Sequence, residues 1–318
     1  MKVLIVRFSS IGDIVLTTPV IRCVKQQLKE AEVHFLTKEK FASVIRHNPY
    51  IDKLYTMDEE LSEIVPALQA ENYDYVIDLH HNVRTLRLKR ALGKTSYAFN
   101  KLNWEKFLMV WLKINRLPDK HIVERYLETV APLGVHNDHK GLDYTIPEKD
   151  ELDISQALPA KFHAGYDALV VGGSYFTKRI PLHQLLEICK ISNKPLVLLG
   201  GKEDTEIANQ VAIAYEEKVV NMCGSINLNQ SASLIRQSQK VITSDTGLMH
   251  IAAAYQKEIV SIWGNTIPEF GMGPYMPGAN SKILEVQGLS CRPCSKLGYR
   301  KCPKGHFKCM NDIDISQV

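Results

Sequence analysis

The sequence predicts an α/β protein of two nucleotide-binding-like domains, each a parallel sheet with helices on both faces, the two facing across a cleft. Three observations predict it. Short Val/Leu/Ile runs bounded by turns alternate with stretches of helical apolar spacing, the rhythm of strand–helix–strand units. A polar, proline-punctuated passage from Ile146 to Pro159 interrupts that rhythm, which then restarts. The 318 residues suffice for two cores, and 45% hydrophobic with 23% charged residues is ordinary for a soluble globular protein. The expected domains are 1–152 and 160–318.

Lys2–Phe8 contains Val-Leu-Ile-Val and reads as a buried parallel strand. Ser9-Ser10-Ile11-Gly12-Asp13 is the turn after it, and Ile14–Leu28 has helical apolar spacing. Val33–Leu36 is a second strand, Val44–His47 lies in a short helix stopped by Asn48-Pro49, and Lys53–Tyr55 is a third strand. Leu61–Ala70 is helical, and Tyr75–Leu79 is another buried strand running into His80-His81-Asn82. Asn100–Leu117 changes character: Trp104, Phe107, Leu108, Trp111 and Ile114 share one helical face, ringed by Lys101, Lys106, Lys113 and Arg116. Packing against the first domain's core and resting on an anionic membrane surface both remain open for it. His121–Leu133 continues helically. In the second half Ala168–Val171, Leu196–Leu199, Val219-Val220, Val241–Ser244 and Ile259–Trp263 are strands, with helices at Glu206–Glu216, Asn229–Ser238 and Leu248–Tyr255.

A net charge of +4 is too weak to imply a nucleic-acid partner. No apolar run approaches bilayer length, and the short run in MKVLIVRFSS reads as a first strand rather than a signal peptide. Seven cysteines, three of them scattered singly at Cys23, Cys189 and Cys223, suit a reducing cytoplasm.

Ligands of parallel sheets collect outside the carboxyl ends of the strands, so the turns there are the candidate sites. Val241–Thr266 is the unit around which the chain is organised: strand, Asp245-Thr246-Gly247, helix, strand. A short turn into a helix leaves backbone N–H groups aimed outward, and these with the helix dipole favour a phosphate. Gly247 lets the backbone approach that anion, and His250 one turn further on either faces it or is structural. Capping of the helix by Asp245 or Thr246 is the plainer alternative. Lys178 and Arg179 follow the Gly172-Gly173 turn, as phosphate clamps or as a solvated basic pair. Asp13 is a candidate general base, or the N-cap of the helix from Ile14.

Ser9-Ser10-Ile11-Gly12-Asp13, Thr177-Lys178-Arg179 with Pro181, and Asp245-Thr246-Gly247-Leu248-Met249-His250 together resemble glycosyltransferase family nine, the ADP-heptose:lipopolysaccharide heptosyltransferases. Asp78-Leu79-His80, Val123-Glu124-Arg125-Tyr126-Leu127 and Gly200-Gly201 fall in the expected order, so the resemblance spans essentially the whole chain. It implies a GT-B fold and an inverting transfer from an ADP-sugar to the lipopolysaccharide inner core, with no catalytic metal or other cofactor required. By the same resemblance Asp13 deprotonates the acceptor hydroxyl, while Lys178 and the amides near Thr246 and Gly247 stabilise the leaving diphosphate. Thr177, Asp245 and His250 fall to the donor, Asp245 by capping or through sugar hydroxyls, and Glu203 or Asp204 to the nucleotide ribose. Ser10, Gly12, His80 and Arg84 fall to the acceptor. The implied setting is cytoplasmic, peripheral at the inner face of the inner membrane. There the aromatic-basic Asn100–Leu117 segment, and Arg84, Arg87, Lys89 and Arg90, would meet an acidic glycolipid.

Cys291-x2-Cys294, Cys302 and Cys309, with His306 between, form a cluster that looks separate from the rest. The first pair has metal-ligand spacing, and four thiolates could close a tetrahedral structural zinc site; a disulfide pair and free packed thiols stay open. Basic neighbours such as Arg292, Lys296 and Lys308 would favour thiolates. Relatives in the family also carry a cysteine-rich tail. Two competing functions remain. A nicotinamide-dependent oxidoreductase is disfavoured because no strand here is followed by G-x-G-x-x-G. A silent sugar-nucleotide-binding protein is disfavoured because it would need neither Asp13 nor Lys178.

Overall fold

The computed structural model describes residues 1–318, in two compact units. The first is Met1–Leu102 with Lys120–Thr145, the second Asn103–Asp119 with Ile146–Val318. The sequence places 103–119 in the first domain; the structure packs it with the second. There Lys113 Nζ donates to the Pro293 carbonyl at 2.6 Å, and Lys106 Nζ stands 5.9 Å above the Phe270 ring.

The first unit runs β1 (Lys2–Val6), α1 (Ile11–Val15), α2 (Thr18–Gln27), β2 (Glu32–Lys38), β3 (Lys53–Met57), α3 (Val65–Ala70), β4 (Tyr75–Asp78), α4 (Val83–Leu92) and β5 (Thr95–Ala98). After the excursion that carries α5 (Asn103–Phe107) into the second unit, it closes with α6 (Ile122–Leu127). The strands pair in parallel in the order β3-β2-β1-β4-β5. β1 is central, and Val3, Leu4, Ile5 and Val6 are wholly buried, which is why its apolar run is unbroken. The strand order reverses between β1 and β4, the switch point outside whose carboxyl ends parallel sheets bind their ligands.

The helix expected over Ile14–Leu28 is two helices. Pro19 has no N–H to continue the ladder, and the hydroxyls of Thr17 and Thr18 bond the carbonyls of Ile14 and Val15 instead. The 3₁₀ turn Glu39–Val44 lies earlier than the expected short helix at 44–47. α4 and β5 were not legible in the sequence. α4 is fixed by a reciprocal cap between Asn82 and Thr85 and ends at Gly93, φ +62°. β5 is a mostly exposed edge strand with no apolar run.

The second unit adds α7 (Ile154–Ala157), β6 (Asp167–Val170), α8 (Leu182–Ile191), β7 (Leu196–Leu199), α9 (Thr205–Ala214) and β8 (Val219–Asn221). It continues with α10 (Leu228–Gln237), β9 (Lys240–Ser244), α11 (Gly247–Ala254), β10 (Glu258–Trp263), β11 (Lys282–Glu285) and α12 (Lys308–Asn311). Its parallel sheet has the order β11-β10-β9-β6-β7-β8, so its switch point lies between β6 and β9. The cysteine-rich tail is not separate. Phe307, Cys309, Met310, Ile313 and Ile315 are buried in the same core as β6, β7 and β10. Gln184 Nε2 on α8 ties the tail down through the Asn311 carbonyl at 2.8 Å.

Candidate functional site

Each unit concentrates its candidate residues at its own switch point. In the first, β1 runs out into Arg7, which is 8% exposed. Its guanidinium donates to the carbonyls of Ser9 and Leu79 and to the Tyr126 hydroxyl, and Nη2 pairs with Asp13 Oδ1 at 2.7 Å. Burial is the largest influence on Arg7 and opposes its charge. Asp13 leads the neighbours that outweigh it and leave its pKa raised. The other Asp13 oxygen accepts from Ser10 N at 3.2 Å and Ser10 Oγ at 2.8 Å. Ser10, exposed, occupies the N-cap of α1, and Asp13 is the third helical residue reaching back to it. The N-cap reading for Asp13 is therefore corrected by three positions. Gly12 is buried within α1.

His80 follows β4. Burial pushes its pKa down to about 4, with Arg7 and Lys101 adding to the effect, so the imidazole is neutral near pH 7. Its ring packs 5.0 Å from Phe8, and its buried Nδ1 has no hydrogen-bond partner. Asp78 beneath it is fully buried and accepts from the N–H groups of His80 and His81 at 3.1 and 2.6 Å. Lys89 Nζ stands 2.9 Å from the second Asp78 oxygen, so Lys89 supports this turn rather than a surface patch. Arg84 lies 3.5 Å from Glu59 at the surface. Sequence reasoning missed Arg7; its signal was a charged residue at the end of a fully apolar strand.

In the second unit Lys178 Nζ and Asp245 Oδ2 are 2.5 Å apart, and Thr266 Oγ1 donates to the same carboxylate oxygen at 3.0 Å. Asp245 is therefore the counter-ion of Lys178 and not a helix cap. Thr246 occupies the N-cap of α11 but makes no side-chain capping bond, so the helix start at Gly247 is not closed off by it. His250 is 2% exposed, inside α11. Thr177 is 1% exposed and exchanges hydrogen bonds with Tyr299: its N–H donates to the Tyr299 carbonyl, and its hydroxyl accepts from Tyr299 N at 2.8 Å.

Asp204 is 2% exposed and accepts from Gly201 N at 2.9 Å. A Cβ at Gly172 would lie 2.3 Å from its carboxylate, so a glycine is required there. Asp204 thus shapes the turn beyond β7, while Glu203 next to it is exposed. Arg179 reaches Asp204 at 3.8 Å and donates to the Gly173 carbonyl. An ammonium held beside an uncapped helix start is a site for a phosphate oxygen, with Asp245 as the resting partner it would leave.

The four tail cysteines line one small cavity together with His306 and Asn265. Cys291 Sγ is 3.8 Å from His306 Nε2, and all of the thiols are free. Burial, then the neighbouring thiols, raises the pKa of Cys294 and pushes Cys309 up to about 12, which outweighs the thiolate-favouring effect expected of the basic neighbours. Asn265 is 1% exposed, yet both polar atoms of its carboxamide lack a partner. Four thiols and an imidazole around one cavity are the donor set that a thiophilic ion takes. Away from the thiols, Glu32, His34 and Glu71 bring ligand atoms within 4.8 Å of one another, but Lys2 and Lys53 already neutralise Glu71.

In the segment from α5, Trp104, Phe107, Trp111, Leu112 and Ile114 are between 45 and 69% exposed. Trp104 stacks on Phe107 at 5.6 Å and 12°, so the aromatics pack on each other. A π-helical turn at Leu108–Leu112 breaks the straight helix expected over 100–117. No helix is long and apolar enough to cross a membrane.

The chain is 26% identical to lipopolysaccharide heptosyltransferase 1 of Campylobacter coli over 289 residues, covering 84% of each protein. It is 25% identical to lipooligosaccharide heptosyltransferase 2 of Campylobacter jejuni, covering 100% of this chain and 96% of that one. Among solved structures it matches E. coli ADP-heptose lps heptosyltransferase II with a TM-score of 0.71 at 18% identity, covering 98% of both chains. An E. coli heptosyltransferase with ADP matches with a TM-score of 0.69 at 23% identity, covering 89% of this chain and 92% of that one. These two likenesses carry the GT-B-type fold expected from the sequence. The model of glycosyltransferase family 9 (heptosyltransferase) matches residues 62–302, well over half of the chain, and the chain belongs to that family.

Proposed function

We propose that this protein transfers a heptose from an ADP-sugar to the lipopolysaccharide inner core, by an inverting displacement that needs no metal at the reacting centre. The observation that carries the reading is the Asp13 carboxylate, anchored by Arg7 and Ser10 at the switch point of the first unit yet still 23% exposed. In this reading Asp13 takes the proton of the acceptor hydroxyl as that oxygen attacks the anomeric carbon. The bond from that carbon to the diphosphate breaks on the opposite face, and the leaving group departs as ADP. Lys178 exchanges Asp245 for a diphosphate oxygen and, with the N–H groups at Gly247, offsets the charge that builds there. Neutral His80 and exposed Ser10 border the acceptor hydroxyl. Arg84 and Glu203 are assigned to the acceptor and to the nucleotide ribose, respectively.

The names of the relatives support the substrate pair; the residues support the chemistry. A thermal-shift screen of nucleotide sugars, followed by product analysis with a heptose-deficient core glycolipid, tests the reading. ADP-heptose is expected to raise Tm and to be consumed. A screen in which no adenosine-diphosphate sugar binds would sink it.

We also assign the Trp104–Ile114 ridge to the anionic inner face of the inner membrane, where the glycolipid acceptor would be met. Exposed aromatics ringed by Lys101, Lys106, Lys113 and Arg116 support this, since each basic contact adds about 1 kcal/mol near such a surface. Co-sedimentation with anionic vesicles should fall with salt, and fall several-fold again in W104A/W111A, whose rings are exposed; no binding at low salt removes the assignment. Finally, Cys291, Cys294, Cys302 and Cys309 are assigned to a structural zinc ion, which would supply cross-linking of the tail and no chemistry.

A further inference from the structure

The thiol cavity and the Lys178–Asp245 pair share their supports. Arg292, inside the Cys291–Cys294 loop, donates from Nε to the Gly264 carbonyl at 2.6 Å and from Nη2 to the Thr266 carbonyl at 2.9 Å. Cys294 N donates to the Asn265 carbonyl at 3.3 Å. The turn at 264–266 is thus held on the cysteine loop by three consecutive carbonyls, and Thr266 in turn fixes Asp245 at 3.0 Å. On the other side Tyr299, between Cys294 and Cys302, shares three hydrogen bonds with Thr177, and Thr177 precedes Lys178. Gly264 sits where these pieces converge: a Cβ there would lie 2.8 Å from the Thr177 carbonyl and 2.9 Å from the Met310 side chain. Both partners of the ion pair therefore hang on the segment that carries the thiols. That segment is otherwise short of regular structure, its one helix being the four residues of α12.

We propose that metal occupancy of the cysteine cavity sets the affinity of the Lys178 site for a nucleoside diphosphate. The ion gathers the loop around Cys291, Cys294, Cys302 and Cys309, and the unpartnered Asn265 amide donates to one of the thiolates. The ordered loop then holds Thr177 and Thr266, and through them Lys178 and Asp245, in the spacing a diphosphate requires. Without the ion the loop loosens, both supports slacken, and the ammonium is no longer aimed. The cavity is thereby a regulatory input, responsive to metal supply, in addition to a structural tie. This inference rests on the donor-site assignment made above for Lys178.

The test is calorimetric titration of the full-length protein with ADP in three states: zinc-loaded, stripped by chelator under reducing conditions, and reloaded. Far-UV circular dichroism and zinc stoichiometry are measured on each. The expectation is one zinc per chain and an ADP affinity at least about tenfold weaker after stripping, restored on reloading; misaiming one charged hydrogen bond costs on that order. Equal ADP affinity in loaded and stripped protein of unchanged circular dichroism overturns the linkage, as does a protein that takes up no zinc. A zinc-loaded protein that does not bind ADP at all overturns the donor-site assignment, and the linkage falls with it. Should stripping unfold the chain, Arg292→Lys decides, because it keeps the four thiols but cannot span both Gly264 and Thr266. Zinc retained with ADP affinity reduced several-fold supports the linkage, and zinc retained with ADP affinity unchanged overturns it.

Discussion

Asp13 and Lys178 occupy equivalent places, each beyond the first strand of its unit and each in an ion pair at a switch point, but they are held from different ranges. Asp13 is anchored by near neighbours in sequence, Arg7 and Ser10. Arg7 is itself anchored from further along the chain, by the Leu79 carbonyl and the Tyr126 hydroxyl. Lys178 meets its counter-ion 67 positions away in sequence at Asp245, which a third segment holds through Thr266, which a fourth holds through Arg292. An ammonium propped by four segments is sensitive to each of them, which suits a site meant to be adjustable.

The sharpest way to probe that contrast is Asp13→Asn. It keeps the helix start, since an amide oxygen still accepts from Ser10, but removes the base. Turnover should drop by at least about 100-fold with ADP affinity nearly unchanged, read by steady-state kinetics and calorimetry. Turnover near that of the parent would take Asp13 out of the mechanism. Next in size, Lys178→Ala leaves Asp245 without its partner and the phosphate without its charge. ADP affinity should weaken by roughly ten- to a hundredfold while circular dichroism is unchanged. Asp245→Asn should weaken ADP binding less, by several-fold, because the ammonium stays but loses the carboxylate that aims it. If both variants bind ADP like the parent, the second unit's pair is structural.

The smallest effect concerns His80. Its pKa is lowered from 6.5 to about 4 in the folded protein, so the unfolded chain binds a proton first as pH falls. The stability this group contributes is complete above about pH 6.5 and is lost progressively down to about pH 4. Allowing for its partial exposure, the loss is at most about 2 kcal/mol. In His80→Gln the urea midpoint should change less between pH 7 and pH 4.5 than in the parent. An identical pH dependence would show that the imidazole is not held neutral by the fold.

The sequence alone determined the parallel α/β architecture and most of its buried strands, because a strand covered on both faces must be an unbroken apolar run, as in Val3–Val6 and Leu196–Leu199. It also determined where chemistry would sit, since turns at strand ends are written in short polar and glycine-rich words such as Ser10-Ile11-Gly12-Asp13 and Asp245-Thr246-Gly247. Only the tertiary structure decided what those residues do to one another. Arg7 looks like an ordinary strand-end residue until three segments, at 9–13, Leu79 and Tyr126, converge on its guanidinium. Asp245 and Asp204 look interchangeable as acidic turn residues, yet one neutralises a lysine and the other fills the space left by Gly172. The edge strands β5 and β11 were missed because an exposed edge carries no burial signal. The assignment of 103–119 to the second unit was missed because an amphipathic segment advertises a partner without saying which. Periodicity and turn chemistry are local, and a sequence shows them directly; pairing across tens of residues is created by the fold, and nothing in a window of the chain encodes it.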